Sequence, residues 1–225
     1  MTNTIIKLKN VSKRYGNKKV LDNVSLKLNA GELVIIKGNS GAGKTTLLNI
    51  LAFLETKDTG EFLWKGQKTE NLNTKQKKNI RRTEMGFIFQ DFNLFENLTV
   101  EENLEVFLSL TTEMKKDEIQ KKIKEYLKKF QMEDRKKTHT RFLSGGERQR
   151  VAIMRAFLIN SSIVFADEPS ANIDDENKRI ISDYLIELKE AGKSIVIVSH
   201  DDYYDKLADK IYVLKNGNLS ETYWG

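Results

Sequence analysis

The chain has 225 residues, a formal net charge of +6 and no cysteine. This length suits one compact domain with a sizeable core, and a sequence without cysteine excludes disulfides, thiolate chemistry and zinc sites built on cysteine. No apolar run approaches the ~20 residues of a membrane-spanning helix, and no signal peptide is expected at the start.

The positive charge is spread through the chain. Lysines alternate with acidic residues, as in residues 115–118, and do not form one long basic block. This pattern favours a solvated, lysine-rich surface over a nucleic-acid-binding one. The densest basic stretch is residues 75–82, which would suit an acidic partner.

Taken in chain order, short apolar runs predict the strands. Residues 24–28 alternate as a half-buried strand does, and fully apolar runs predict buried strands at 33–36, 86–89, 163–166 and 195–198. Helical patterns between them predict an α/β sheet covered on both faces. A run at 211–214 leads into Asn216-Gly217, a strong hairpin signal. We expect the flanking strands to form a small antiparallel layer beside the main sheet.

The stretch from about residue 92 to 161 is rich in helix patterns. Within 116–130, Ile119, Ile123, Leu127 and Phe130 fall on one face of a helix. We therefore predict one domain, residues 1–225, with an α/β core (1–90 and 163–225) and an inserted helical lobe (91–162).

A glycine-rich loop follows the first buried strand and precedes an apolar helix expected at residues 46–54. The loop fits the pattern G-x-x-x-x-G-K-T, which cradles phosphates with backbone amides. Lys44 should reach the β- and γ-phosphates, and the Thr45 hydroxyl should bind Mg²⁺. The predicted ATP-binding residues of this phosphate loop and the next position are Gly38, Asn39, Ser40, Gly41, Ala42, Gly43, Lys44, Thr45 and Thr46.

Polar residues end three other predicted strands, where an open α/β sheet has its ligand crevice. Asp167 would hold Mg²⁺, and Glu168 would orient and polarise the attacking water. Gln90 would contact Mg²⁺ or the water and act as a sensor. His200 would donate to the γ-phosphate and stabilise the developing charge. The predicted catalytic residues are thus Glu168, His200 and Lys44, and the metal ligands are Thr45, Gln90 and Asp167.

A second phosphate-binding feature lies at residues 144–147, Ser144, Gly145, Gly146 and Glu147, here called the Ser-Gly-Gly turn. Serine followed three residues later by glutamate also predicts a capping box that starts a helix. Capping does not explain two consecutive glycines, which suggest a close approach by another group. One chain rarely needs two phosphate-binding devices, so the turn is predicted to serve the nucleotide of a second copy.

Tyr15 precedes the phosphate loop. It is predicted either to stack on adenine or to be a surface tyrosine before a turn, and the sequence supports both readings.

Together these motifs resemble the ATP-binding cassette (ABC) ATPases over essentially the whole chain. The resemblance implies a P-loop, RecA-like core, a head-to-tail dimer with two sites for ATP and Mg²⁺, and a place for Asp174, in the motif at 170–174, at the dimer seam. Residues 90–100 and 145–153 further resemble the group of lipoprotein-release, macrolide-export and antimicrobial-peptide-transport ATPases.

Three functions are compatible with this resemblance. The first is the ATPase subunit of a membrane transporter, placed on the cytoplasmic face by a permease whose coupling helix docks near residues 92–98. The second is an ATP-switched regulatory ATPase of the cell-division type. The third, a nucleic-acid-linked ABC ATPase, is disfavoured because those carry coiled-coil insertions, zinc cysteines or two cassettes, so no nucleic-acid partner is expected.

Overall fold

The computed structural model describes residues 3–171 and 173–222, and within them the chain forms two sheets flanked by helices. The strands are β1 Thr4–Tyr15, β2 Lys18–Asn29, β3 Leu33–Lys37, β4 Thr59–Trp64, β5 Gln67–Lys68, β6 Met85–Ile88, β7 Ile163–Asp167, β8 Ser194–Val198, β9 Lys210–Lys215 and β10 Asn218–Thr222. The helices are α1 Lys44–Leu51, α2 Thr74–Glu84, α3 Val100–Thr111, α4 Lys116–Lys129, α5 Gly145–Leu158 and α6 Asp175–Glu190. Short 3₁₀ turns include Thr140–Phe142 and Asp202–Leu207.

The larger sheet has the order β10-β9-β3-β8-β7-β6, with β10 antiparallel and the other neighbours parallel. The four buried strands predicted from sequence are β3, β8, β7 and β6, which are consecutive neighbours with β6 at the edge of the sheet, and β6 begins one residue earlier than predicted. Their side chains alternate between two cores. Ile35 and Ile197 pack with the helical region, whereas Ile36 and Val198 pack with α1 and the smaller sheet. The predicted coverage of both faces is therefore confirmed.

The smaller sheet, β2-β1-β4-β5, is antiparallel as predicted, but its membership was only partly foreseen. The prediction that residues 211–214 belong to the antiparallel layer is wrong. β9 pairs in parallel with β3, where Ile211 lies opposite Ile35. The hairpin itself is confirmed, since Asn216 and Gly217 both have positive φ between β9 and β10. The Asn-Gly pair determines where the chain turns, whereas pairing with β3 determines which sheet β9 joins.

Helices α3, α4 and α5 lie between β6 and β7, as the predicted helical lobe requires. The four apolar residues of the predicted α4 face are all buried. Helix α2 was not predicted, because its sequence is almost wholly polar, but Asn73 and Gln76 form a capping box that starts it. Helix α1 begins two residues earlier than predicted and ends at Leu51. No helix within the described ranges is long and apolar enough to cross a membrane.

Candidate functional site

The phosphate loop leaves the end of β3 and enters α1, in the strand-loop-helix context that its pattern requires. Two of its glycines are needed because other atoms approach closely. A Cβ at Gly38 would lie 2.5 Å from the Leu214 carbonyl oxygen, and one at Gly43 would lie 2.8 Å from a methyl group of Val20. The loop is therefore packed between β9 and the start of β2.

A cavity of about 670 Å³ lies against the phosphate loop and is lined by residues 38–42, 18–20 and 213–217. Lys44, the first residue of α1, is 9% exposed, and its Nζ donates to the carbonyl oxygens of Gly38 at 2.7 Å and Asn39 at 3.3 Å. Its ammonium thus lies inside the curve of the loop. A phosphate there would meet this charge and the amino end of α1 together, both of which favour an anion.

Thr45 and Asp167 meet across the crevice between α1 and β7. The Thr45 hydroxyl donates to Asp167 Oδ2 at 3.3 Å. A hydroxyl and a carboxylate are oxygen ligands of the kind that Mg²⁺ takes together with water and nucleotide phosphate oxygens. The predicted metal ligands Thr45 and Asp167 therefore fit a Mg²⁺–nucleotide complex.

The environment of Asp167 favours its neutral form while no cation is bound. Burial, with the adjacent Glu168 carboxylate, raises the pKa of Asp167, although Thr45 and Lys44 act in the opposite direction. Because the folded-state pKa is raised, the stability that this group contributes is complete below its unfolded pKa and is lost as the pH rises through its folded pKa. In its ionised form, Asp167 therefore contributes less stability to the cation-free protein than in its neutral form.

The end of β7 turns sharply at Glu168, whose φ of 45° is rare for a residue with a side chain. Its carboxylate accepts hydrogen bonds from the Ser199 hydroxyl at 3.2 Å and the His200 amide at 3.4 Å. The His200 Nδ1 atom lies 3.0 Å from both carboxylate oxygens. The Glu168 side chain, 13% exposed, is thus held in one orientation from β8.

Gln90, Glu168 and His200 line a second cavity of about 240 Å³, together with residues that follow β7 and β8. The strand ends therefore bring these three predicted site residues together. Gln90 itself lies in a turn two residues beyond β6. This small polar cavity has the size and groups to hold a water beside Glu168.

The contact between His200 and Glu168 refines the predicted role of the histidine. An ionised carboxylate only accepts hydrogen bonds, so Nδ1 must carry the proton that points to Glu168. In a neutral imidazole, Nε2 then has no proton to donate. Donation from Nε2 to a γ-phosphate would require either the doubly protonated ring or release from Glu168.

Tyr15 ends β1 and is 49% exposed. Its hydroxyl donates to Glu55 Oε2 at 3.0 Å, and the Lys13 ammonium lies 5.2 Å from the ring centroid. The hydrogen bond from Lys13 is in turn the main reason why the pKa of Glu55 is lowered to about 2. Among the described residues, those that line the 670 Å³ cavity do not include Tyr15. Its ring is nonetheless held at the surface with one polar edge satisfied.

The Ser-Gly-Gly turn forms the capping box that its sequence predicts. The Ser144 hydroxyl accepts from the Glu147 amide at 3.3 Å, and Glu147 Oε2 accepts from the Ser144 amide at 2.8 Å. Arg135 Nε donates to the other Glu147 carboxylate oxygen at 2.7 Å. The start of α5 is therefore rigidly held.

The two glycines of this turn differ in their surroundings. A Cβ at Gly146 would lie 2.4 Å from the Asn177 side chain of α6, whereas a Cβ at Gly145 would meet no described atom within 4 Å. The close approach predicted from the glycine pair is thus supplied for Gly146 by the chain itself. Residues 144–147 line neither of the two cavities described above.

Asp174 caps α6, accepting from the Asn177 amide at 2.8 Å and from its side-chain nitrogen at 2.9 Å. These donors lower the pKa of Asp174. Asn172, in the same predicted motif, lies outside the described residues.

Sequence reasoning missed residues that support the site. Ser199 is fully buried and orients Glu168, although its position at the end of β8 was a signal. Lys37, the last residue of β3, forms ion pairs with Asp202 and Asp205, which follow His200. These contacts join the entry of the phosphate loop to the segment that carries the histidine.

A parallel sheet with a glycine-rich loop before a helix and carboxylates at a neighbouring strand end defines the class of P-loop nucleoside triphosphatases. Within that class the chain belongs to the ABC transporter family, whose model matches residues 21–171. It is an ABC ATPase, the ATP-binding subunit of a transporter.

Similar proteins extend over nearly the whole chain. An uncharacterized ABC transporter ATP-binding protein of Methanocaldococcus jannaschii, MJ1508, is 41% identical over 96% of this chain and 98% of its own. The lipoprotein-releasing system ATP-binding protein LolD of Buchnera aphidicola is 36% identical, with 97% and 98% covered. The macrolide export ATP-binding/permease protein MacB of Pasteurella multocida is 34% identical over 97% of this chain but 34% of its own length.

A solved structure of the cassette MJ0796, dimeric and bound to ADP and Pi after hydrolysis, matches with a TM-score of 0.87 and 36% identity. The match covers 98% of this chain and all of the other. The resemblance inferred from the motifs and the predicted fold class are therefore confirmed.

Proposed function

We propose that this chain works as one half of a head-to-tail dimer that closes on two ATP molecules and drives a membrane permease. The supporting observation is the Ser-Gly-Gly turn, which is rigidly capped, has open space at Gly145 and lines neither cavity of its own chain. A similar cassette forms a dimer in its post-hydrolysis state. In this proposal the turn binds the γ-phosphate held by the partner's phosphate loop, and Asp174 lies at the seam.

Within each site we propose the following roles. The phosphate loop and Lys44 bind the phosphates, and Thr45, Asp167 and Gln90 would hold Mg²⁺, which would shield the phosphate charge. Glu168, held by β8, orients and polarises the water. His200 contacts the γ-phosphate when that phosphate displaces Glu168 as the hydrogen-bond partner of the imidazole. Tyr15 stacks on the base.

The test replaces Glu168 by Gln, with Glu125→Gln on the exposed face of α4 as the matched control. We expect the Glu168 variant to bind ATP and accumulate as a dimer while turnover falls on the order of 10²–10⁴-fold, the usual range for a positioned acid–base group. Size-exclusion chromatography and phosphate release measure both. Turnover near that of the control would remove Glu168 from this role.

The proposed permease contact is the loop of residues 92–98. Buried Asn103 fixes the backbone of Phe95, accepting from its amide at 2.8 Å and donating to its carbonyl at 3.0 Å. Arg155 donates to the Phe92 and Asn93 carbonyls. This loop is therefore preorganised, yet residue Phe95 is 54% exposed. Such a ring suits the apolar face of a docked helix.

A photocrosslinking probe at Phe95 tests this contact in cells. We expect it to capture an integral membrane protein, whereas a probe at Leu110, also exposed but about 10 Å along α3 from Asn103, should not. Capture of soluble proteins alone from Phe95 would contradict the permease contact.

Because the named relatives serve lipoprotein release and macrolide export, we further propose that the system exports peptides, antimicrobials or lipoproteins, or transmits mechanical force.

A further inference from the structure

Helix α2, Thr74–Glu84, carries an unusual excess of positive charge. Its eleven residues include five cations and one acid, and none of them is buried. Ile80 is the one apolar residue of the helix and packs, partly buried, against the core, so the rest of the helix presents mainly charged and polar side chains.

Three of the five cations form one face. Lys75, Lys78 and Arg82 are spaced i, i+3, i+7, which places them on a single stripe of a helix with 3.6 residues per turn. All three side chains are exposed. We call these three residues the basic stripe.

The basic stripe is not neutralised by the chain. Within residues 3–171 and 173–222, no ion pair involves any of the five α2 cations. The acid of α2, Glu84, pairs instead with Lys65. The positive field of the stripe is therefore directed at solvent without a local counter-charge.

The stripe also has a defined place in the fold. Helix α2 leads directly through β6 to Gln90 and the loop that presents Phe95, and it packs against α3 beside that loop. Arg81 donates to the Phe53 carbonyl at 2.7 Å, which ties α2 to the segment bearing Leu54, 52% exposed. The helix that carries the stripe is thus connected to the loop proposed to face the permease.

We propose that the basic stripe binds the phosphate headgroups of anionic lipids beside the permease, so that the ATPase touches the membrane surface itself. The inference rests on the proposed function for the orientation of this surface. A lipid headgroup fits better than an acidic protein, because the stripe contains no apolar or aromatic anchor of the kind found at protein interface cores. Headgroup attraction needs only cations near the surface.

The experiment measures sedimentation of the purified full chain with phosphatidylglycerol/phosphatidylcholine vesicles and with phosphatidylcholine vesicles alone. The test variant is Lys75→Glu/Lys78→Glu/Arg82→Glu. The matched control is Lys121→Glu/Lys124→Glu/Lys128→Glu on α4, which has the same spacing, exposed side chains and interspersed acids. Each triple reversal subtracts six charges and takes the formal net charge from +6 to 0.

We expect binding to anionic vesicles only. Each basic residue near an anionic leaflet contributes about fivefold, so the α2 variant should lose on the order of 100-fold, while the α4 variant retains most of the binding. Raising the ionic strength from roughly 0.01 M to roughly 1 M shortens the Debye length from about 30 to 3 Å and should abolish binding to the anionic vesicles.

Equal losses in the two variants would show a general charge effect and overturn the proposal, as would an absence of binding to anionic vesicles. Solution ATPase activity of the same samples is a separate readout. If the protein hydrolyses ATP but does not bind anionic vesicles, the lipid contact alone is overturned. If it binds them through α2 but does not hydrolyse ATP, the result counts against the proposed ATPase cycle alone.

Discussion

Replacing each glycine of the Ser-Gly-Gly turn by alanine distinguishes a packing role within the chain from a role toward a second chain. In Gly146→Ala the new methyl group would overlap the Asn177 side chain, with contacts of 2.4–2.7 Å. In Gly145→Ala it enters open space. Neither glycine has a positive φ, so alanine fits both backbones without strain.

The difference in stability follows from Asn177. Its side chain can rotate away from the new methyl group, but it then gives up its hydrogen bonds to Asp174 at 3.1 and 2.9 Å. Making room for the methyl group at this close contact costs about 1–2 kcal/mol, in the lower part of the range for overpacking. Both variants gain up to about 1 kcal/mol of helix propensity, which cancels in the comparison. At about 2–4 °C per kcal/mol for a domain of this size, Gly146→Ala should melt about 2–8 °C below Gly145→Ala.

For Gly145→Ala we expect dimerisation, and not stability, to be lost. Its alanine variant should melt at or above the wild-type temperature, yet fail to form the ATP-dependent dimer when combined with Glu168→Gln, because the methyl group occupies the space proposed for the partner's phosphate. Scanning calorimetry and size-exclusion chromatography with ATP give the two measurements. A Gly145→Ala/Glu168→Gln protein that dimerises normally would refute the reasoning.

Two further predictions concern the nucleotide site. Asp167→Asn should raise the melting temperature of the cation-free protein at pH 7, since it replaces the less stabilising ionised form by a neutral side chain, and should abolish the further increase that MgATP gives; a lower melting temperature would contradict this account. Lys37→Met should reduce kcat about tenfold, equivalent to roughly 1.4 kcal/mol of barrier, because it releases the segment after His200, while ATP affinity changes little and Lys37→Arg restores turnover. A kcat unchanged in steady-state assays, or a loss confined to ATP binding, would show that Lys37 does not position the histidine.

Much of the site could be predicted because its signals are local. The phosphate loop, the capping box at Ser144 and the Asn216-Gly217 hairpin each depend on residues within a few positions of one another. Apolar runs that end in polar residues predicted correctly that Glu168, Gln90 and His200 converge at one sheet edge. Parallel strands deliver their carboxyl ends to the same place, so chain order did not need to be known.

What the sequence alone determined is therefore the phosphate loop, the strand ends and the capping box at Ser144. The tertiary structure decided which sheet receives β9, that Asn177 occupies the space beside Gly146, and that His200 holds Glu168. Each of these depends on contacts between residues far apart in the chain. Local propensity carries no information about them, because the partner that makes the contact favourable is fixed only when the sheets and helices pack.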